Sequence, residues 1–182
     1  MKVLGISGSL RKGSFNTALL RTCVSLMPQG VELEIGSIAG IPLYDGDLEA
    51  AHGIPAVVES LKRKVVEADG LLLVTPEYNN SMPGVLKNAI DWLSRPPADI
   101  ANVFSGRPVA LMGASPGGFG TILSQNAWLP VLRTLGTRTW SGGKMMVSRA
   151  GGVFNEAGEL TDQAVRTQLQ KYLAGFVAFI KA

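Results

Sequence analysis

The sequence predicts a doubly wound α/β domain: a parallel sheet with helices on both faces. Short apolar runs alternate with longer segments of helical period along the chain. Several of those runs are apolar throughout, as strands buried on both faces must be. Three of them are followed by loops rich in Gly, Pro, Ser or Asn, where an open sheet of this class binds its ligands. The length of 182 residues fits one domain spanning 1–182, against a usual size of roughly 100–200.

Val3-Leu4-Gly5-Ile6 reads as the first buried strand. From Ser14 to Met27, Phe15, Ala18, Leu19, Thr22, Cys23 and Leu26 share one helical face. Val31 to Ile35 alternates apolar and charged residues, which suits a strand near a sheet edge. Ile54 to Ala68 carries an apolar stripe, and Pro55 suits its first turn. Leu71 to Val74 is an apolar strand, and Pro83 to Ser94 the helix after it. Val109 to Met112 is another buried strand. Gly120 to Leu135 follows with helical period, and Pro130 is expected to kink it. A fifth strand is expected near Lys144 to Val147. The last helix runs from Thr161 to Ile180, with Thr161 as N-cap and a staple between Leu160 and Val165.

Composition excludes several functions. With 46% hydrophobic and 17% charged residues and mean hydropathy +0.22, the chain is not a disordered or acidic tail protein. One cysteine and one histidine rule out a disulfide framework and a His- or Cys-based metal site within one chain. No metal is expected. The net charge of +3 and pI of 9.2 come from dispersed residues. That suits an anionic small molecule and falls short of a nucleic-acid-binding stripe. No segment reads as a signal peptide or a membrane span, so a soluble, cytoplasmic protein is expected.

The first loop reads Gly8-Ser9-Leu10-Arg11-Lys12-Gly13-Ser14-Phe15-Asn16. Small residues ahead of a helix let backbone N–H groups approach an anion, and Arg11 adds a planar fork for phosphate. Gly8 and Gly13 have P-loop spacing, but Ser14 stands where the lysine belongs, and Thr75 rather than Asp follows the strand ending at Val74. The dinucleotide fingerprint Gly-x-Gly-x-x-Gly is also missing. What remains is a site for one terminal phosphate, with an ordinary helix cap as the bland alternative. The second loop, Thr75 to Gly84, is polar and braced by Pro76 and Pro83. It can offer backbone amides to a flat polar ring and the aromatic face of Tyr78.

These loops resemble the NADPH-dependent FMN reductase family, and more narrowly its bacterial NAD(P)H:quinone and chromate reductases. The likeness rests on Gly8-Ser9-Leu10-Arg11-x-Gly13-Ser14-x-Asn16, on Pro76-Glu77-Tyr78-Asn79, and on Ser81-x-Pro83-Gly84-x-Leu86-Lys87-Asn88-Ala89-Ile90-Asp91-Trp92. Ile41-Pro42-Leu43-Tyr44-Asp45 adds to it. The resemblance implies a flavodoxin-like fold with strand order 2-1-3-4-5 and a noncovalent FMN. It also implies NADPH or NADH as co-substrate, quinones, nitro or azo compounds or chromate as acceptors, and a homodimer or homotetramer. By the same resemblance Ser9, Arg11, Ser14, Phe15 and Asn16 lie at the FMN phosphate. Pro76, Glu77, Tyr78 and Asn79 flank the ring, and Ser115, Gly117 and Gly118 close over its other side. An electron-carrying flavodoxin and a non-catalytic flavin-binding module share that fold. They remain as alternatives, although Arg11 and Lys12 are foreign to the acidic surface of a carrier.

Single features have blander readings. Gly113-Ala114-Ser115-Pro116-Gly117 imitates a nucleophile elbow, but the triad histidine must follow the serine and His52 precedes it. His52, Asp45 and Asp47 read as a solvated loop, Cys23 as a buried inert thiol, and Lys62-Arg63-Lys64 as the polar face of a helix. Met145 and Met146 read as strand packing. Trp92 and Trp128 are core residues or subunit contacts, and the resemblance favours contact for Trp92.

Overall fold

A computed structural model describes residues 1–182. Five elements open the chain: β1 (Lys2–Ser7), α1 (Phe15–Leu26), β2 (Glu32–Gly36), α2 (Gly46–His52) and α3 (Ala56–Glu67). There follow β3 (Gly70–Val74), α4 (Gly84–Leu93), α5 (Ile100–Val103), β4 (Pro108–Ala114), α6 (Ile122–Thr134), β5 (Arg138–Thr139), β6 (Met146–Val147) and α7 (Gln163–Lys181). The sheet is parallel in the order β2-β1-β3-β4-β5, with β6 also on β4. This is the doubly wound, flavodoxin-like arrangement expected from the sequence.

The apolar strands distribute their side chains strictly by alternation. Leu72 and Val74 of β3, with Ala110 and Met112 of β4, face a core completed by α1 and α7. Leu71, Leu73, Val109 and Leu111 face a second core completed by α3, α4, α5 and α6. Cys23 lies in the first core, where burial pushes its thiol pKa up and keeps it protonated.

Several expectations are corrected. The fifth strand is two short pieces: Arg138–Thr139 pairs with Pro108–Val109, and Met146–Val147 with Gly113–Ala114. Between them Trp140 folds over Gly142, Gly143 and Gly175, whose missing Cβ atoms give its ring room. Asp162, not Thr161, caps α7, its carboxylate accepting from Val165 N at 2.9 Å. Thr161 is tied to Val153 O instead. Leu160 and Val165 pack against the same core. Asp45 is the N-cap of α2, and His52 ends that helix. Lys62 is buried, donating to Arg95 O and Asp99.

Trp92 is fully buried, as is Trp128. Its indole N–H donates to Pro42 O at 2.9 Å, and its ring meets Tyr44 edge-on. Asn88 donates to the same carbonyl and accepts from Tyr44 N. Trp92 therefore holds residues 42–44 onto α4 and has no surface to offer a second subunit.

Candidate functional site

The strand order reverses direction beside β1, whose following helix lies on one face while α4 lies on the other. The loops leaving β1, β3 and β4 diverge there, and a cleft opens at the carboxyl ends of the strands, as the fold class dictates. The first loop lines it with Ser9, Arg11, Ser14, Phe15 and Asn16, and the second with Pro76, Glu77 and Tyr78. The third supplies Ala114, Ser115 and Pro116.

Between Ser9 and Asn16, only Arg11 donates its backbone N–H within the chain, to Ser9 Oγ at 3.4 Å. The other N–H groups of this stretch have no protein acceptor, and the first turn of α1 holds no acidic residue. Ser14 Oγ caps α1 by accepting from Thr17 N, which leaves its own O–H free to donate. Arg11 leans back on Gly13 O at 3.1 Å, with the rest of its fork open. This donor set fits a terminal phosphate: several N–H groups, two hydroxyls and one guanidinium at a helix N-terminus.

Asn16 also has a structural part. Its amide is buried and bonded to Ala114, Nδ2 donating to the carbonyl and Oδ1 accepting from the N–H, each at 2.9 Å. The side chain thus mimics a peptide strand and locks the start of α1 to the end of β4. Its backbone N–H and the second hydrogen of Nδ2 have no acceptor in the chain and remain for an anion.

The second loop is a tight hairpin. Tyr78 and Ser81 exchange both backbone hydrogen bonds, and Asn79 and Asn80 form its tip with φ of 49° and 60°. Asparagine tolerates that left-handed region. The Asn79 side chain is therefore exposed at the tip, and Asn79 can face the cleft only through its backbone. The backbone N–H groups of Glu77 and Asn79 have no acceptor in the chain, which suits a ring bearing carbonyl and imine acceptors. In the third loop, Gly117 and Gly118 are exposed and stand outside the cleft, while Ala114 and Pro116 border it. Those two neighbours of Ser115 carry no chemical signal in sequence. Ser115 Oγ donates to Gly120 O at 2.6 Å, so the apparent nucleophile elbow is a structural turn.

The ties beneath the cleft were invisible to pattern reading. Thr75 is buried, and its hydroxyl meets Ser124 Oγ at 2.8 Å and accepts from Trp128 Nε1 at 3.1 Å. A Cβ at Gly113 would lie 2.2 Å from Thr75 O and 2.3 Å from Thr121 Oγ1, so β4 passes there only as glycine.

Fold and cleft together define a flavodoxin-like domain built to hold a mononucleotide across the switch point. Comparison with known proteins gives the same class. The description "NADPH-dependent FMN reductase" matches residues 1–152. The chain is 44% identical to an NAD(P)H-dependent FMN reductase of Pseudomonas aeruginosa, covering 100% of this chain and 96% of that one. It is 40% identical to a quinone reductase of Escherichia coli K12, with the same coverages. The solved structure of FerB, a flavoenzyme NAD(P)H:(acceptor) oxidoreductase from Paracoccus denitrificans, superposes with a TM-score of 0.88 at 34% identity, over 99% of this chain and 97% of that one. The chain belongs to the NADPH-dependent FMN reductase family. It is an oxidoreductase whose cofactor is FMN and whose co-substrate is NAD(P)H.

Proposed function

We propose that this single domain reduces quinones, and with them nitro or azo compounds or chromate, at the expense of NAD(P)H. The observation that carries the reading is the cleft itself: unpartnered N–H groups, Ser9, Ser14 and Arg11 at one end, and the free amides of Glu77 and Asn79 beside Tyr78 at the other. The first end suits one phosphate and not a pyrophosphate, which favours FMN over FAD. FMN, when bound, supplies two-electron acceptance from reduced nicotinamide and delivery to an acceptor. The chain binds and orients it. No side chain acts as nucleophile, and Ser115 is held by Gly120 O.

All three loops also put one large apolar side chain into solvent: Leu10, Tyr78 and Phe119. An apolar rim of this kind suits a flat quinone. FMN resting on these loops leaves one ring face open, so nucleotide and acceptor use that face in turn and the kinetics are ping-pong. A dimer or tetramer is part of the same proposal. Exposed Leu43, Tyr44 and Val85 beside α4 replace Trp92 as the contact expected to border the cleft.

Purified protein should be yellow and release FMN on heating. It should oxidise NAD(P)H with benzoquinone and no partner reductase, giving parallel double-reciprocal lines. Recovery of FAD, intersecting lines with a demonstrable ternary complex, or bound flavin without turnover would each refute the corresponding part. A monomer by light scattering at micromolar concentration would refute the assembly.

A further inference from the structure

We infer that Glu77 is a positioning residue whose carboxylate clamps the ring-side loop to the N-terminus of α6 and so sets the width of the cleft. The inference rests on the reading that the cleft holds FMN. A carboxylate on the wall of an anion-binding cleft is out of place unless its charge is taken up elsewhere. Here it is: Glu77 Oε2 accepts from Leu123 N at 2.9 Å and from Ser124 N at 3.1 Å. Those are the second and third residues of α6, where orphan N–H groups and the positive end of the helix favour a negative charge.

Helix α6 has no other cap. Its first turn contains no acidic residue, and Thr121, which should cap it, makes no such bond. Thr121 Oγ1 instead accepts from Gln125 Nε2 in the interior. The cap thus comes from a loop 46 positions away.

Its consequence follows from where α6 begins. The third loop runs from Ser115 to Thr121, directly into that helix. Its near end is held to the sheet by Ser115 N on Val147 O and by Ala150 N on Ser115 O. Its far end is wherever α6 starts. Glu77 ties that point to the second loop from the cleft side, while Thr75 ties it from inside through Ser124. On the cleft side the two walls are therefore joined by the Glu77 side chain, the Thr75–Ser124 tie lying beneath it. Its removal loosens the second loop against the third at the cleft surface without touching the phosphate end.

The test uses whole-chain variants, FMN titrated into apoprotein, and the visible circular dichroism of the bound flavin. Glu77→Ala should weaken FMN binding about tenfold, near the lower end of what one lost charge-assisted hydrogen bond is worth because the effect reaches FMN through the loop, and change the flavin dichroism. Glu77→Gln keeps an acceptor oxygen and should restore the dichroism and most of the affinity. If Glu77→Ala does not fold, Glu77→Asp decides: withdrawing the carboxylate by one methylene should reproduce both effects. Wild-type affinity and dichroism in Glu77→Ala or Glu77→Asp would overturn the inference, as would lower stability with unchanged dichroism. Failure of the wild-type chain to bind FMN would instead overturn the functional reading on which it rests.

Discussion

Residues 8–16 carry their chemistry side by side, whereas the second and third loops owe theirs to partners far along the chain. In the first loop Ser14 caps the helix it precedes, and Arg11 bonds a carbonyl two residues away. In the second, Thr75 meets Ser124 across 49 positions and Glu77 meets Leu123 across 46. A local cradle needs only small residues ahead of a helix. A wall facing a flat ring needs a set spacing to another wall, which only tertiary partners supply. Asn16 joins the two regimes, since it begins α1 yet bonds Ala114 across 98 positions.

Asn16 is the place to break that comparison. Asn16→Ala strips two buried backbone groups of their partners, at roughly 1–3 kcal/mol each, so stability should fall about 2–6 kcal/mol. Urea unfolding of the apoprotein measures it, and FMN affinity should fall as well. Stability close to wild type would show that the first loop stands without the third.

Arg11→Ala should act on the ligand alone. Loss of one charge-assisted contact, about 1.5–3 kcal/mol, corresponds to FMN binding weaker by roughly 10- to 150-fold. The apoprotein should unfold within about 0.5 kcal/mol of wild type, as exposed sites generally do. Unchanged FMN affinity would remove Arg11 from the site.

Thr75→Val has the smallest expected effect and the opposite balance. It leaves the buried Trp128 N–H without an acceptor, at about 1–3 kcal/mol. The melting temperature should drop, while FMN affinity changes less than in Arg11→Ala. An unaltered melting temperature would mean that the second loop is held by its own turn and two prolines.

Most of the site was legible because its residues fall in runs. Ser9, Arg11, Ser14, Phe15 and Asn16 do line the cleft, with Pro76, Glu77, Tyr78 and Ser115. Asn79 stands at the hairpin tip with φ 49° and its side chain exposed, and nothing in Tyr78-Asn79-Asn80-Ser81 alone tells which residues form that tip. Trp92 was misjudged because helical spacing gives its face but not the segment, residues 42–44, that covers it.

By itself the sequence determined the alternation of strands and helices, the three loops that line the cleft and the run of small residues ahead of α1. Those follow from short-range periodicity, helix caps and steric freedom, all readable within a few residues. Only the tertiary structure decided what Glu77, Asn16 and Thr75 do. Each has a polar group whose partner is chosen by burial and by the approach of distant backbone. It also decided the split fifth strand, since the sheet edge ends wherever Trp140 finds glycines to lie on. Hydrogen-bonding capacity is a property of a residue, but its assignment is a property of the packed chain.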